Sequence, residues 1–414
     1  MIKYYRFCLE NGLRVLVHED KSSPLIAMNI LYDVGSRDED PELTGLAHLF
    51  EHLMFGGTSR IPDFDKPLQL AGGENNAFTT EDITDYYITV PETNIETGFW
   101  LESDRMSDLD FSQKNLEIQK SVVTEEYYQR YLNQPYGDAL LLLRSLAYKV
   151  HPYRWPTIGR EVSHISNVNL NEIKEFFFSH YAPNNAILTL TGNITPDRAF
   201  ILTNKWFGPI GKRNVKQRKL PKEPVQKEER RMDAERDVPA SAIYKAWHTG
   251  PRRSKDFYVL DLITDLLAGG ESGRLYTKLV REKKLFSEIN AYITSDIDPG
   301  MMILHGRLMK GVDIHLAEES INQVIRDLKK RYPSDNEMEK VKNKFESSVI
   351  VSNSNILNKA MSLSYFELLG NTDLINNEIY EFRKTNKRMV AEVSEKYLNE
   401  ENCSTLYYKS TRKD

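Results

Sequence analysis

Apolar and polar positions alternate from the first residues, so the chain is expected to open on strands. Runs at 4–9 and 13–18 are joined through Asn11-Gly12, the favoured pair for a tight turn with positive φ, and predict a β-hairpin. A third strand is expected at about 24–34, before Gly35 and a charged loop. Thr44 precedes a segment of helical period that stops near Gly56-Gly57, as an N-cap and a C-terminal glycine bracket a helix. After a further helix Gly72-Gly73 breaks the chain, and residues 84–90, rich in β-branched and aromatic types, predict a strand closed by Pro91. Helical patterns follow at about 94–107, 112–131 and 169–180, then a strand at 186–190.

Between about 211 and 237 the chain becomes charged and Pro-punctuated, the composition of a solvated linker. Beyond it the order repeats: a strand at 240–248, helices at 254–268 and 272–284, strands at 287–296 and 300–308, then long helices to about 398. The two ends also rhyme, since Tyr181 and Tyr397 each close a helix and precede a run that becomes apolar and β-branched. This pattern predicts an α+β protein of two similar α/β-sandwich halves, each an antiparallel-rich sheet packed with helices. The boundaries read as 1–212, a linker at 213–237, and 238–414.

Composition narrows the class. Across 414 residues, 40% are hydrophobic and 28% charged, with a net charge of −5, the balance of a globular protein. Mild acidity argues against nucleic acid as a partner. No apolar run approaches the roughly 18 residues of a membrane span, and the first residues lack a signal-peptide pattern, so a cytoplasmic location is expected, with a periplasmic one left open. Cys8 and Cys403 make no disulfide framework and read as unpaired, half-buried thiols.

The chemistry concentrates at His48-Leu49-Phe50-Glu51-His52, inside the helix expected over 45–55. At about 3.6 residues per turn, His48 and His52 share a face one turn apart, the spacing that lets two imidazoles grip one metal ion. Glu51 projects near the same face, placed to hold a water rather than to ligate. Two imidazoles and a carboxylate suit zinc, and H-x-x-E-H reverses the commoner order of zinc-hydrolase helices. A third ligand is expected from a second helix, where Val122-Val123-Thr124-Glu125-Glu126 offers two carboxylates about 100° apart. Val122 and Val123 lie one turn before Glu126, which marks Glu126 as the inward one.

The sequence also resembles a family. Val34-Gly35-Ser36-Arg37, Thr44 through His48, Glu51-His52, Phe55 and Gly57-Thr58 look like the active-site region of the insulinase/pitrilysin metallopeptidases. The resemblance is closest to the small bacterial members and the β subunit of the mitochondrial processing peptidase. It continues through Gly72 to Thr79, Val122 to Glu126, Asn133 to Gly137, Pro156 to Gly159 and Tyr181 to Asn185, in order. The second half matches more weakly, at Leu266 to Gly270, Arg274 to Tyr276 and Leu279 to Glu282.

The resemblance implies one Zn2+ per chain on His48, His52 and Glu126, with Glu51 as general base. It places Gln119 where the family often has a supporting glutamate, so hydrogen bonding is kept there without charge. It lays peptide substrate along an edge strand at Asn76 and Ala77, with a side-chain pocket near Phe78. Arg281 matches an arginine that approaches the scissile carbonyl, but Ser287 and Glu288 stand where its companion tyrosine belongs, and Tyr292 lies further along. The implied activity is zinc-dependent endopeptidase action on short or unfolded peptides, with this chain the zinc-bearing subunit of a homodimer or heterodimer whose partner supplies an Arg/Tyr pair. The competing class is a non-catalytic scaffold or peptide-binding subunit of the same family. A serine hydrolase is disfavoured because the chain has no Gly-x-Ser-x-Gly elbow.

Overall fold

A computed structural model describes residues 1–412, which gather into two compact units. In the first, strands β1 (Tyr5–Cys8), β2 (Arg14–Glu19), β3 (Leu25–Tyr32), β4 (Glu74–Thr79), β5 (Thr84–Pro91) and β6 (Ala186–Gly192) form one sheet in the order β1-β2-β6-β3-β5-β4. In the second, β7 (Arg230–Arg236), β8 (Ala242–His248), β9 (Phe286–Ile293), β10 (Met301–Leu308) and β11 (Cys403–Ser410) are ordered β7-β11-β8-β10-β9. The helices begin with α1 (Leu46–Phe55), α2 (Asp65–Leu70), α3 (Ile95–Ser107), α4 (Gln113–Tyr127), α5 (Ala139–Ala147), α6 (Val162–Asn167) and α7 (Leu170–His180). They continue with α8 (Pro196–Phe207), α9 (Asp256–Ala268), α10 (Ile314–Lys330), α11 (Asp335–Ser352), α12 (Ile356–Leu368), α13 (Leu374–Lys384) and α14 (Lys387–Tyr397). No described helix is long and apolar enough to cross a membrane.

Strands β2 to β6 correspond to β7 to β11 in chain order and in spatial order alike. Each set contains one parallel pair, β2 with β6 and β7 with β11, among antiparallel neighbours. The opening hairpin has the expected register, Tyr5 opposite Val17 and Cys8 opposite Arg14. The rhyme between 181–190 and 397–406 marks β6 and β11, the equivalent strands that follow α7 and α14.

The units do not follow the linear boundary drawn at 212 and 238. Tyr128–Arg154 belongs to the second unit and Ile350–Asn377 to the first. The exchanged helices are counterparts: α5 and α12 are each the third helix after the strand equivalent to β5. Helix α12 packs on β2, β3 and β6, and α5 packs on β7, β8 and β11. The composition gave no hint of this, because either helix presents the same kind of apolar stripe to whichever sheet it covers.

Residues 213–237 are not a free linker. Arg213 donates to the carbonyls of Met106 (3.0 Å), Ser107 (2.9 Å) and Tyr181, and its guanidinium lies 4.5 Å from the Phe177 ring centre. Arg218 pairs with Asp33 (2.9 Å) and Asp38 (2.6 Å). The last seven residues before Asp237 are strand β7, which reads as linker because an edge strand covered on one face tolerates charge. Both cysteines are free, but neither is half-buried: Cys8 is exposed and Cys403 buried.

One ion cluster in the second unit carries a pH signature. Glu318, with a side chain 7% exposed, accepts from Lys245 (2.5 Å) and Arg231 (3.0 Å). Burial alone would raise its carboxyl pKa, but Arg231 and Lys245 hold it down at about 2. Because the folded pKa lies below the unfolded one, this stabilisation is full above about pH 4.5 and disappears as pH falls toward about 2. Glu318→Gln is therefore expected to flatten the acid limb of thermal stability between those limits. Melting temperatures collected across that range check it.

Candidate metal centre

Helix α1 divides cleanly. Leu46, Ala47, Leu49, Phe50, Leu53 and Met54 are buried, leaving His48, Glu51 and His52 half-buried on the other side. The buried side is anchored by Phe50, whose ring lies 5.0 Å from that of Tyr181 and 5.3 Å from that of Phe176. Rings packed this way fix the rotation of the helix and hence the direction of the opposite face.

The start of α1 differs from expectation. Gly45, at φ +93°, is the N-cap rather than Thr44, and a Cβ there would meet the Ile158 carbonyl oxygen at 2.7 Å. Thr44 instead accepts the Arg160 N–H through Oγ1 (2.8 Å). The helix N–H groups are served by Glu39, buried at 6% exposure, whose carboxylate accepts from Gly45 (2.9 Å) and Ala47 (2.8 Å). Burial pushes the Glu39 carboxyl well up, and these two N–H groups oppose the shift. No pattern at 39 announced this cap, because the carboxylate arrives from a loop rather than from the helix register.

Beyond the C-terminal end of α1, a buried ion pair braces the unit. Arg105 donates to Glu102 at 2.7 and 2.6 Å, and its guanidinium lies 4.5 Å from the Phe64 and Tyr86 ring centres and 5.5 Å from that of Phe55. Phe55, the last residue of α1, is thereby tied to a rigid stack.

Helix α4 packs against α1 and brings Glu126 to the two histidines. Glu126 Oε2 lies 3.6 Å from His48 Nε2 and 3.5 Å from His52 Nε2. One donor atom from each of the three residues falls within 4.8 Å of the others, and no other such trio occurs among the described residues. Bonds of about 2.0–2.1 Å at a tetrahedral angle place ligand atoms about 3.3–3.4 Å apart, close to both His–Glu126 separations, so the donor set suits a zinc ion. Val123 is buried as expected, but Val122 is 45% exposed, so it is Val123 alone that marks the inward side of α4. Glu125 is exposed.

Glu51 stands beside His52 and its Oε2 accepts from the Thr79 hydroxyl at 2.7 Å. The motif reading included Thr79 without a role, since helix spacing says nothing of what a neighbouring strand presents. Thr79 ends β4, the edge strand, which carries the other candidates. Asn76 is exposed with its Oδ1 accepting from the Ala77 N–H (2.8 Å), and Ala77 and Phe78 are half-buried. Gln119 lies half-buried on α4, two turns before Glu126. In the second unit, Arg281 is exposed in the helical turn Tyr276–Glu282, and Tyr292 is 37% exposed on β9.

Residues 14–160 match the family model described as insulinase (peptidase family M16), and 167–345 match the one described as peptidase M16 inactive domain. Zinc protease PqqE of Helicobacter pylori is 30% identical over 348 residues, spanning 82% of this chain and 78% of that one. The chain belongs to the insulinase family, peptidase family M16. YmxG of Bacillus subtilis, named an uncharacterized zinc protease, is 26% identical over 355 residues, 85% of this chain and 84% of that one. The crystal structure of a protease from Helicobacter pylori superposes with a TM-score of 0.93 at 27% identity, covering 99% of this chain and all of the other. An M16 inactive-domain structure from Pseudomonas fluorescens, 16% identical, shares the fold with a TM-score of 0.90 over 99% of each chain. The M16 assignment also accounts for the division of the chain, since all three metal-binding candidates lie in the stretch matched by the insulinase model.

Proposed function

We propose that this M16 protein is a zinc-dependent endopeptidase acting on short or unfolded peptides. The observation that carries the reading is the convergence of His48 Nε2, His52 Nε2 and Glu126 Oε2, with Glu51 on the same half-buried side of α1. The relatives' naming as zinc proteases supports it. When bound, zinc supplies a Lewis acid that polarises a carbonyl and acidifies a water molecule.

The chain's own residues do the rest. Glu51 accepts a proton from the attacking water at its carboxylate and passes it to the departing amine nitrogen as the C–N bond breaks. The open edge of β4 at Asn76 and Ala77 offers backbone hydrogen bonds to an extended peptide, which requires little sequence and leaves selectivity to side chains such as Phe78. Arg281 without a tyrosine at 287 or 288 argues that a second subunit completes the site with an Arg/Tyr pair.

Metal analysis of the purified chain, with cleavage of an unfolded peptide measured before and after chelation, tests the reading. One zinc per chain and activity lost to chelator and restored by zinc are expected. Metal-free protein that neither takes up zinc nor cleaves would instead support a scaffold subunit. Full activity in a fraction shown to be monomeric would remove the borrowed-pair element.

A further inference from the structure

Glu51 is held from outside its own helix. A glutamate has three rotatable bonds, and a proton acceptor works only if its carboxylate is presented in one direction. The Thr79 hydroxyl donates to Oε2 at 2.7 Å and so narrows the directions the carboxylate can take. Thr79 is itself rigidly placed. It lies opposite Thr84 in the β4–β5 ladder, the Thr80 N–H donates to the Ile83 carbonyl (2.8 Å), and Thr84 Oγ1 donates to the Val34 carbonyl (2.9 Å). Its β-branched side chain has few rotamers.

We propose that Thr79 is a positioning residue for hydrolysis, holding Glu51 in the orientation that receives the water proton. Its place at the end of the edge strand also joins two tasks: the strand that an extended peptide would pair with is the strand that aims the base. This inference rests on the peptidase reading above.

The test compares Thr79→Val, which keeps the shape and removes the donor, with Thr79→Ser, which keeps the donor. In Thr79→Val, kcat is expected to fall about 10- to 100-fold, the usual range for loss of a supporting hydrogen bond at a metal site, with KM within about twofold and zinc content unchanged. Thr79→Ser should recover most of kcat. Crystal structures of the metal-free proteins give a readout independent of activity: Glu51 in one rotamer in the wild type and in Thr79→Ser, and in several in Thr79→Val. Wild-type kcat in Thr79→Val, a single unchanged Glu51 rotamer there, or failure of serine to rescue would overturn the role. An active wild type combined with any of these sinks the positioning role alone. A wild type that neither binds zinc nor, assembled with its partner subunit, cleaves peptide sinks the peptidase reading with it.

Discussion

Glu51→Gln is expected to abolish peptide cleavage while the protein still binds one zinc per chain. Glutamine has nearly the same shape and its carbonyl oxygen still accepts from Thr79, so the local packing has no reason to change. What is lost is basicity, since an amide oxygen does not take a proton near neutral pH. A positioned general base is worth roughly 10²–10⁴-fold in rate, and that loss should appear in kcat. Glu126→Gln should give the opposite pattern, with zinc affinity falling first, because Glu126 Oε2 stands 3.5–3.6 Å from both imidazole nitrogens. Zinc-loaded Glu51→Gln protein that cleaves at the wild-type rate would remove Glu51 from the chemistry.

The second large effect concerns folding. A fragment of residues 1–220 contains the metal-binding candidates and all six strands of the first sheet, yet it is expected not to fold alone. Its sheet is covered by α12, which begins 136 residues after the fragment ends. Without α12, Leu363 loses its buried place, Ser364 no longer meets Thr189 (2.7 Å), and Lys359 no longer pairs with Asp20 (2.7 Å). The uncovered surface includes Leu16, Ala27, Leu31 and Ile187, buried strand residues on the same sheet face as Thr189. In the full chain, Leu363→Ala alone is expected to cost about 2–5 kcal/mol in chemical denaturation, the range for a large-to-small change in a core. A cooperative melt from the 1–220 fragment would show that the exchange is dispensable.

The sequence carried much of the site because its signals are local. His48 and His52 lie four residues apart on one helix, so geometry follows from the helical repeat alone. Choosing Glu126 over Glu125 needed one buried neighbour, Val123, and survived the exposure of Val122. The succession of strands along the chain was also legible, through the hairpin at Asn11-Gly12 and the rhyme around Tyr181 and Tyr397, but their order within each sheet was not. Three features were not legible. The Glu39 cap and the Thr79 bond reach α1 from a loop and a neighbouring strand, and although Glu102 and Arg105 are three apart on α3, their burial against the Phe64 and Tyr86 rings comes from the fold.

By itself, then, the chain of residues determined the two-copy plan, the helix bearing both imidazoles and which carboxylate of α4 faces inward, since each is written in local pattern, while packing of α4 on α1 brought that carboxylate to the imidazoles. The tertiary structure decided which sheet each of α5 and α12 covers, that 213–218 is pinned rather than free, and which hydroxyl holds Glu51. An amphipathic helix or a charged segment specifies what kind of surface it needs but not which one. That choice is made by the partners that chain connectivity and packing bring within reach.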